Sequence, residues 1–159
     1  MKTKLLLLTA LLGFITISCE QEVGVYYNFD EDAFHFNREG WEQLNIKNYQ
    51  FDQFYMSSAT GPIYETIVVR DGIATTNAGI DQGSAIIGDI PAIYDRILTD
   101  FNEVKQQEVL PIYGITVDIK YNEEYHFPEE VDFSTTYKTT VDGGAWYDIK
   151  ITNFEILAE

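Results

Sequence analysis

Apolar residues recur at helical spacing in one long stretch. Ile90, Ile93, Tyr94, Ile97, Leu98, Phe101 and Val104 or Lys105 fall on one face at three- and four-residue steps, which predicts an amphipathic helix. Asp89 is placed to cap its start, and Pro91 is tolerated in a first turn, where its missing N–H has no helical partner. A second, earlier helix is predicted over Phe34 to Ile46. There Trp41 and Leu44 share a face and Phe34 lies two turns before Trp41, with Gly40 an unfavourable interruption.

The remaining apolar stretches alternate with period two. Ile115, Val117, Ile119 and Tyr121 point one way, and Thr116, Asp118 and Lys120 the other, which predicts a half-buried strand. Ile63–Arg70 is rich in β-branched residues and reads as a strand. Asp71-Gly72 follows it as a tight-turn signal, and Ile73–Ala78 returns. Tyr49–Met56 alternates but slips phase, which predicts a bulge near Asp52-Gln53 or a strand apolar on both faces. Turns are expected at Ser57–Pro62, Asn122–Glu124 and Asp142-Gly143-Gly144. Val131 and Phe133 mark another strand, whose start Pro128 restricts to an edge or a bulge. Trp146–Leu157 is the last, slipping near Thr152-Asn153.

In order, each half reads helix, strand, turn, strand, Asp-Gly turn, strand, with Pro62 and Pro128 before the second strands. The expected fold is α+β, a pseudo-repeat of two α-β-β-β units. They would form a six-stranded, mainly antiparallel sheet with both helices on one face. The other face would be partly open and lined with aromatic residues.

The N-terminus has a different character. Lys2 and Lys4 precede an apolar run from Leu5 to Ile17, too short to span a bilayer, which takes about 20 residues. A charged start, a short apolar centre and a small residue at the cut describe an export signal. The segment Ile15-Thr16-Ile17-Ser18-Cys19 resembles a lipobox, with Thr16 where that pattern prefers Leu. Residues 1–18 are therefore expected to be removed between Ser18 and Cys19. The lipobox resemblance implies that Cys19 then carries a diacylglyceryl thioether and a further acyl chain of the palmitate kind. Two or more chains hold a protein stably on a membrane. Residues 19–24 serve as anchor and short tether, and 25–159 as a single domain. Cys19 is the only cysteine, so no internal disulfide forms. Glu20 does not resemble the Asp that retains enteric lipoproteins at the inner membrane, so the outer membrane is the expected destination in a cell with two membranes.

Charge narrows the partners. The whole chain carries 10 basic and 26 acidic residues, a net charge of −16 that deepens once Lys2 and Lys4 are removed. Such a surface repels nucleic acid and anionic lipid headgroups, and suits a basic protein or peptide. Aromatics at 14% of the chain are too many for a segment that fails to bury a core.

Catalytic motifs are missing: no Gly-rich phosphate loop, no zinc-binding His-Glu-x-x-His and no nucleophile elbow. Only His35 and His126 titrate near neutrality. His126 lies among Glu123, Glu124, Glu129 and Glu130, where a solvated acidic hairpin is the expected reading rather than a metal site. Asn28, Asp30, Asp32 and Glu39 occupy positions one, three, five and twelve of a calcium loop. Ala33 replaces its turn glycine and no helix precedes it, so calcium is only a candidate and no cofactor is expected.

Trp41, Asn48-Tyr49-Gln50-Phe51, Val68-Val69-Arg70-Asp71-Gly72 and Tyr121-Asn122-Glu123-Glu124-Tyr125-His126-Phe127-Pro128 together resemble the DUF6174 family of exported bacterial proteins, many of them lipoproteins. The resemblance runs from about Trp41 to Phe154. It implies cysteines after the first strand, where this chain has Ser57-Ser58, and it carries no activity to transfer. The functional expectation is a non-enzymatic binding or interaction module at the cell envelope. The alternatives are an inhibitor of a basic secreted enzyme such as a lysozyme, an envelope-assembly factor, or a metal-dependent hydrolase.

Overall fold

The computed structural model describes residues 24–76, 88–140 and 144–158. Its elements are β1 (Tyr26–Phe29), α1 (Glu31–Leu44), β2 (Tyr49–Ser57), β3 (Ile63–Arg70), β4 (Ile73–Thr76), α2 (Ile90–Gln106), β5 (Ile112–Tyr121), β6 (Pro128–Tyr137) and β7 (Trp146–Ile156). The signal, Ser18, Cys19, the end of the predicted Ile73–Ala78 strand and most of the Asp142-Gly143-Gly144 turn lie outside the described residues.

Capping sets both helix starts. The Asp89 carboxylate accepts the Ala92 N–H at 2.9 Å, and Pro91 occupies the first turn as expected. Asp30 does the same for Ala33 at 2.9 Å, with Glu31 and Asp32 in the first turn, where negative charge favours the helix dipole. That cap starts α1 three residues before its apolar face does. Asn45, left-handed at φ 49°, ends it.

The sheet has seven strands in the order β1-β5-β6-β7-β2-β3-β4, not six. It is mixed, because β1 runs parallel to β5 while the other neighbours pair antiparallel. The added strand is four residues long, too short for its alternation to show in the sequence. Packing holds it there. Tyr27 and Phe29 meet Phe101 of α2 at centroid distances of 6.0 and 4.9 Å. On the opposite face Tyr26 lies flat over Gly114, where an added Cβ would sit 2.4 Å from the ring.

The pairing of β2 with β7 carries one irregularity, an extra residue in β7. The β2–β7 register shifts between Gln50 and Asp52, and across from it Asn153 of β7 is left-handed at φ 53°. Tyr49, Phe51, Gln53 and Tyr55 remain on one buried face, so the apparent slip in β2 reflects a polar Gln53 inside and a half-buried Phe54 outside. Pro128 opens β6 beside a second shift, between Lys120 and Tyr121. The Asp71-Gly72 turn has φ of 50° and 76° and joins β3 to β4 as predicted.

Both helices pack on the same face. Trp41 of α1 meets Tyr49 edge-on at 5.2 Å, and the Arg96 guanidinium of α2 lies 5.3 Å from the Tyr55 ring centre. Tyr49 and Tyr55 lie on one side of β2. The α-β-β-β order therefore occurs twice, as two adjacent meanders. Three antiparallel steps separate β5 from β2, so these first strands point opposite ways while both meanders advance in the same direction across the sheet. With both helices on one face, no rotation superposes one unit on the other. The repeat is one of element order, not of three-dimensional structure.

Candidate functional site on the outer face of the sheet

The helices occupy one face, and no described helix or strand covers the other. Period-two alternation sends Val117, Val131, Phe133, Tyr147 and Ile149 into the core and packs the half-buried Ile119 against it. The residue between each pair must then face outward, and in all three strands it is aspartate. Register places these residues side by side: Asp118 opposite Asp132, and Asp132 opposite Asp148. Directly opposed side chains sit about 4.5–5.5 Å apart at Cβ, where like charges destabilise a sheet.

The neighbouring row offers cations that are already committed. Lys120 reaches Glu129 at 3.0 Å and Glu130 at 4.0 Å, and Lys150 reaches Glu130 at 3.2 Å. Among the described residues none of the three aspartates has an ion-pair partner; Asp118 receives only a long 3.5 Å bond from Asn28. Partial burial and the neighbouring Asp132 charge push the Asp148 carboxyl above the usual aspartate range. Lys120 and the Asn122 amide hold Glu129 below its ordinary value, the Asn122 bond contributing most.

The row borders a depression of about 490 Å³, lined by Asp118, Asp132 and Asp148 together with the paired Lys120, Glu130 and Lys150, and by Phe54. Phe54 and Lys150 also border a second depression of about 660 Å³ over β2, β3 and β7. There the Tyr64 ring packs against Phe54 at a tilt of 48°, with centroids 5.0 Å apart, and Asp52 accepts hydrogen bonds from Thr66 and Asn153, both at 2.7 Å. Those two bonds lower the Asp52 pKa. The two hollows form a groove running across the strands, acidic at one end and aromatic at the other.

The residues singled out in the sequence fall elsewhere. Asn28 lies in β1, Asp30 caps α1, and Asp32 and Glu39 lie within α1. Seven helical residues separate the last two, a rise of about 10 Å, so no calcium loop forms. The sequence match fails because Asp30 starts a helix where a loop was needed. Among the described residues no group of three or more His, Cys, Asp or Glu is arranged to hold a metal. The aspartate row lies along a line across three strands instead of converging on a point.

His126 turns away from its glutamates. Left-handed at φ 64°, it packs on α1, where a Cβ at Gly40 would meet its Cγ and Cδ2 at 2.7 Å. Its Nδ1 lies 3.1 Å from the Asn37 Oδ1, and Tyr94 donates to its carbonyl. The imidazole thus pins the β5–β6 turn to α1. His35 is exposed, in edge contact with Phe34.

The groove escaped the sequence reading because its members come from separate strands. A signal was nevertheless present: Val117-Asp118-Ile119, Val131-Asp132-Phe133 and Tyr147-Asp148-Ile149 repeat one apolar-Asp-apolar pattern at strand centres.

The architecture defines an α+β domain built on a mixed sheet covered on one side. The chain belongs to a family of unknown function, DUF6174, whose model matches residues 33–155. That span contains all three aspartates and, but for the last residue of β7, every strand except β1. No curated protein and no solved structure matches the chain. No helix among the described residues is long and apolar enough to cross a membrane.

Proposed function

We propose that this protein is an envelope lipoprotein, anchored through Cys19, whose outer sheet face binds a basic protein or peptide without catalysing a reaction. The observation that carries the reading is the row Asp118–Asp132–Asp148. Three carboxylates in register, with no ion-pair partner among the described residues, weaken the free sheet; natural sequences keep such local conflicts chiefly where function needs them. A cationic partner relieves the repulsion, and charge complementarity of this kind sets specificity and association rate. Phe54 and Tyr64 add apolar contact area at the other end of the groove, where aromatic side chains bind at low entropic cost.

Titration of the protein with an oligolysine peptide, followed by calorimetry, tests this reading. Binding should weaken as salt rises, because exposed charges are screened beyond about 8–10 Å. It should also weaken in Asp132→Asn and stay unchanged in Glu39→Gln on α1. Equal affinity in wild type and Asp132→Asn would sink the reading. A narrower version, inhibition of a basic secreted enzyme, draws on the same complementarity and is tested by lysozyme activity in the presence of the protein.

A further inference from the structure

Exposed apolar side chains are concentrated at one end of the molecule. Eleven large hydrophobic residues are exposed among the described residues, and six of them, Val25, Tyr26, Tyr27, Val109, Leu110 and Tyr113, gather where β1 and β5 begin. Parallel pairing brings the two strand starts together, with Tyr26 opposite Gly114. The 107–111 loop closes the patch: Gln107 accepts the Leu110 N–H at 2.9 Å, and the Pro111 carbonyl accepts the Lys138 N–H at 2.8 Å. Val109 stands 87% exposed at its tip. Two cations border the patch. Lys105 Nζ lies 5.1 Å from the Tyr27 ring centre and Lys138 Nζ lies 5.9 Å from that of Tyr113. Exposed tyrosines and aliphatic side chains beside lysines are the composition found where proteins meet a bilayer interface.

The position of the patch matters as much as its composition. β1 begins at Tyr26, seven residues after Cys19. At about 3.3–3.6 Å per residue, that length of chain reaches at most about 25 Å. The sheet itself is longer: the ten residues of β5 rise about 33 Å. An anchor at Cys19 therefore keeps the start of β1 within about 25 Å of the lipid surface and makes this the end of the sheet that is tied to it.

We propose that the end formed by the starts of β1 and β5 and the 107–111 loop rests on the lipid surface, with Val109 and Leu110 entering the headgroup region. This rests on the reading of Cys19 as lipidated. The contact fixes the orientation of the domain, so that the groove on the sheet face stands beside the membrane and is not pressed onto it. Contact through apolar and tyrosine side chains also suits a chain whose net charge of −16 is repelled by anionic lipids.

The test uses the lipidated chain purified from membranes and placed in phosphatidylcholine vesicles. Acylated Cys19 leaves no free thiol, so Leu110→Cys and, separately, Tyr64→Cys each accept a single nitroxide label. The label at 110 should be open to lipid-dissolved oxygen and shielded from an aqueous nickel complex; the label at 64 should show the reverse. Equal nickel access at the two positions overturns the proposal. So does shielding at 110 that grows with the protein-to-lipid ratio, which would mean that a second copy covers the patch. Intact mass separates the premises: no acyl mass on Cys19 removes the anchor and this proposal together, whereas an acylated chain with equal access removes this proposal alone.

Discussion

Gly40→Ala should destabilise the protein, although the same change in an open helix would stabilise it. In a helix interior alanine is favoured over glycine by about 1 kcal/mol. Against this, the new methyl would lie 2.7 Å from the Cγ and Cδ2 of His126 and 3.2 Å from its Cβ. Carbon pairs prefer about 3.5–4.0 Å, so the imidazole must move by about 1 Å. A contact with Cβ is not relieved by rotating the ring, and the turn itself must shift. That movement breaks the 3.1 Å contact of Nδ1 with Asn37, worth about 0.5–1.5 kcal/mol, and disturbs the bond from Tyr94 to the His126 carbonyl. Overpacking of this kind costs about 1–3 kcal/mol. Net destabilisation of about 1–2 kcal/mol is expected, several degrees in Tm for a domain of this size. Calorimetric melting of Gly40→Ala, alone and with His126→Gly, provides the assay. Glycine at 126 removes the ring and accepts the left-handed φ of 64°, so in that background Gly40→Ala should raise Tm. A rise in Tm in the wild-type background would refute the packing argument.

Gly114→Ala should expel Tyr26, whose ring occupies the space of the new methyl, and break its 3.2 Å hydrogen bond with Thr136. Faster amide exchange in 26–29, with the rest of the sheet unchanged, is the expected result; unchanged exchange would contradict it. Acid should act oppositely on two aspartates, in different pH ranges. Asp148 has a folded pKa raised by burial and by Asp132, so the deficit of wild type relative to Asp148→Asn should shrink as pH falls from 7 through that pKa. Asp52 has a lowered pKa, so the advantage of wild type over Asp52→Asn is present above the ordinary aspartate pKa and is lost as pH falls through the folded value. Tm measured against pH for both variants checks the signs. Cys19→Ala should be released from membranes on fractionation, and a variant that still pellets would contradict the anchor.

The elements with strong periodicity were legible in the sequence. α2 begins at Ile90 under Asp89, and β3 runs over Ile63–Arg70, as the apolar spacing predicts. The slip at Asn153 signalled a bulge in β7, whereas the slip at Asp52 came from a polar Gln53 on the buried face and Phe54 on the outer one. Gly40 read as a flaw in a helix because its reason, the imidazole of His126, lies far away in sequence. β1 was missed because four residues carry no usable period, and its position depends on Phe101 and Gly114. The acidic residues showed the converse problem. In so acidic a chain Asn28, Asp30, Asp32 and Glu39 matched a loop by spacing alone, whereas Asp118, Asp132 and Asp148 acquire meaning only through register.

The central claim, that the aspartate row is kept for a cationic partner at a cost to the free fold, is tested most directly on Asp132→Asn. This change removes the charge opposed to both Asp118 and Asp148 while keeping the shape of the side chain. Each opposed like-charge pair costs about 0.2–1 kcal/mol, so the variant should melt higher than wild type by a few degrees. The same preparation, titrated with oligolysine, should bind more weakly. Higher Tm together with weaker binding is the predicted result; a variant that melts lower, or binds as tightly as wild type, would contradict the account.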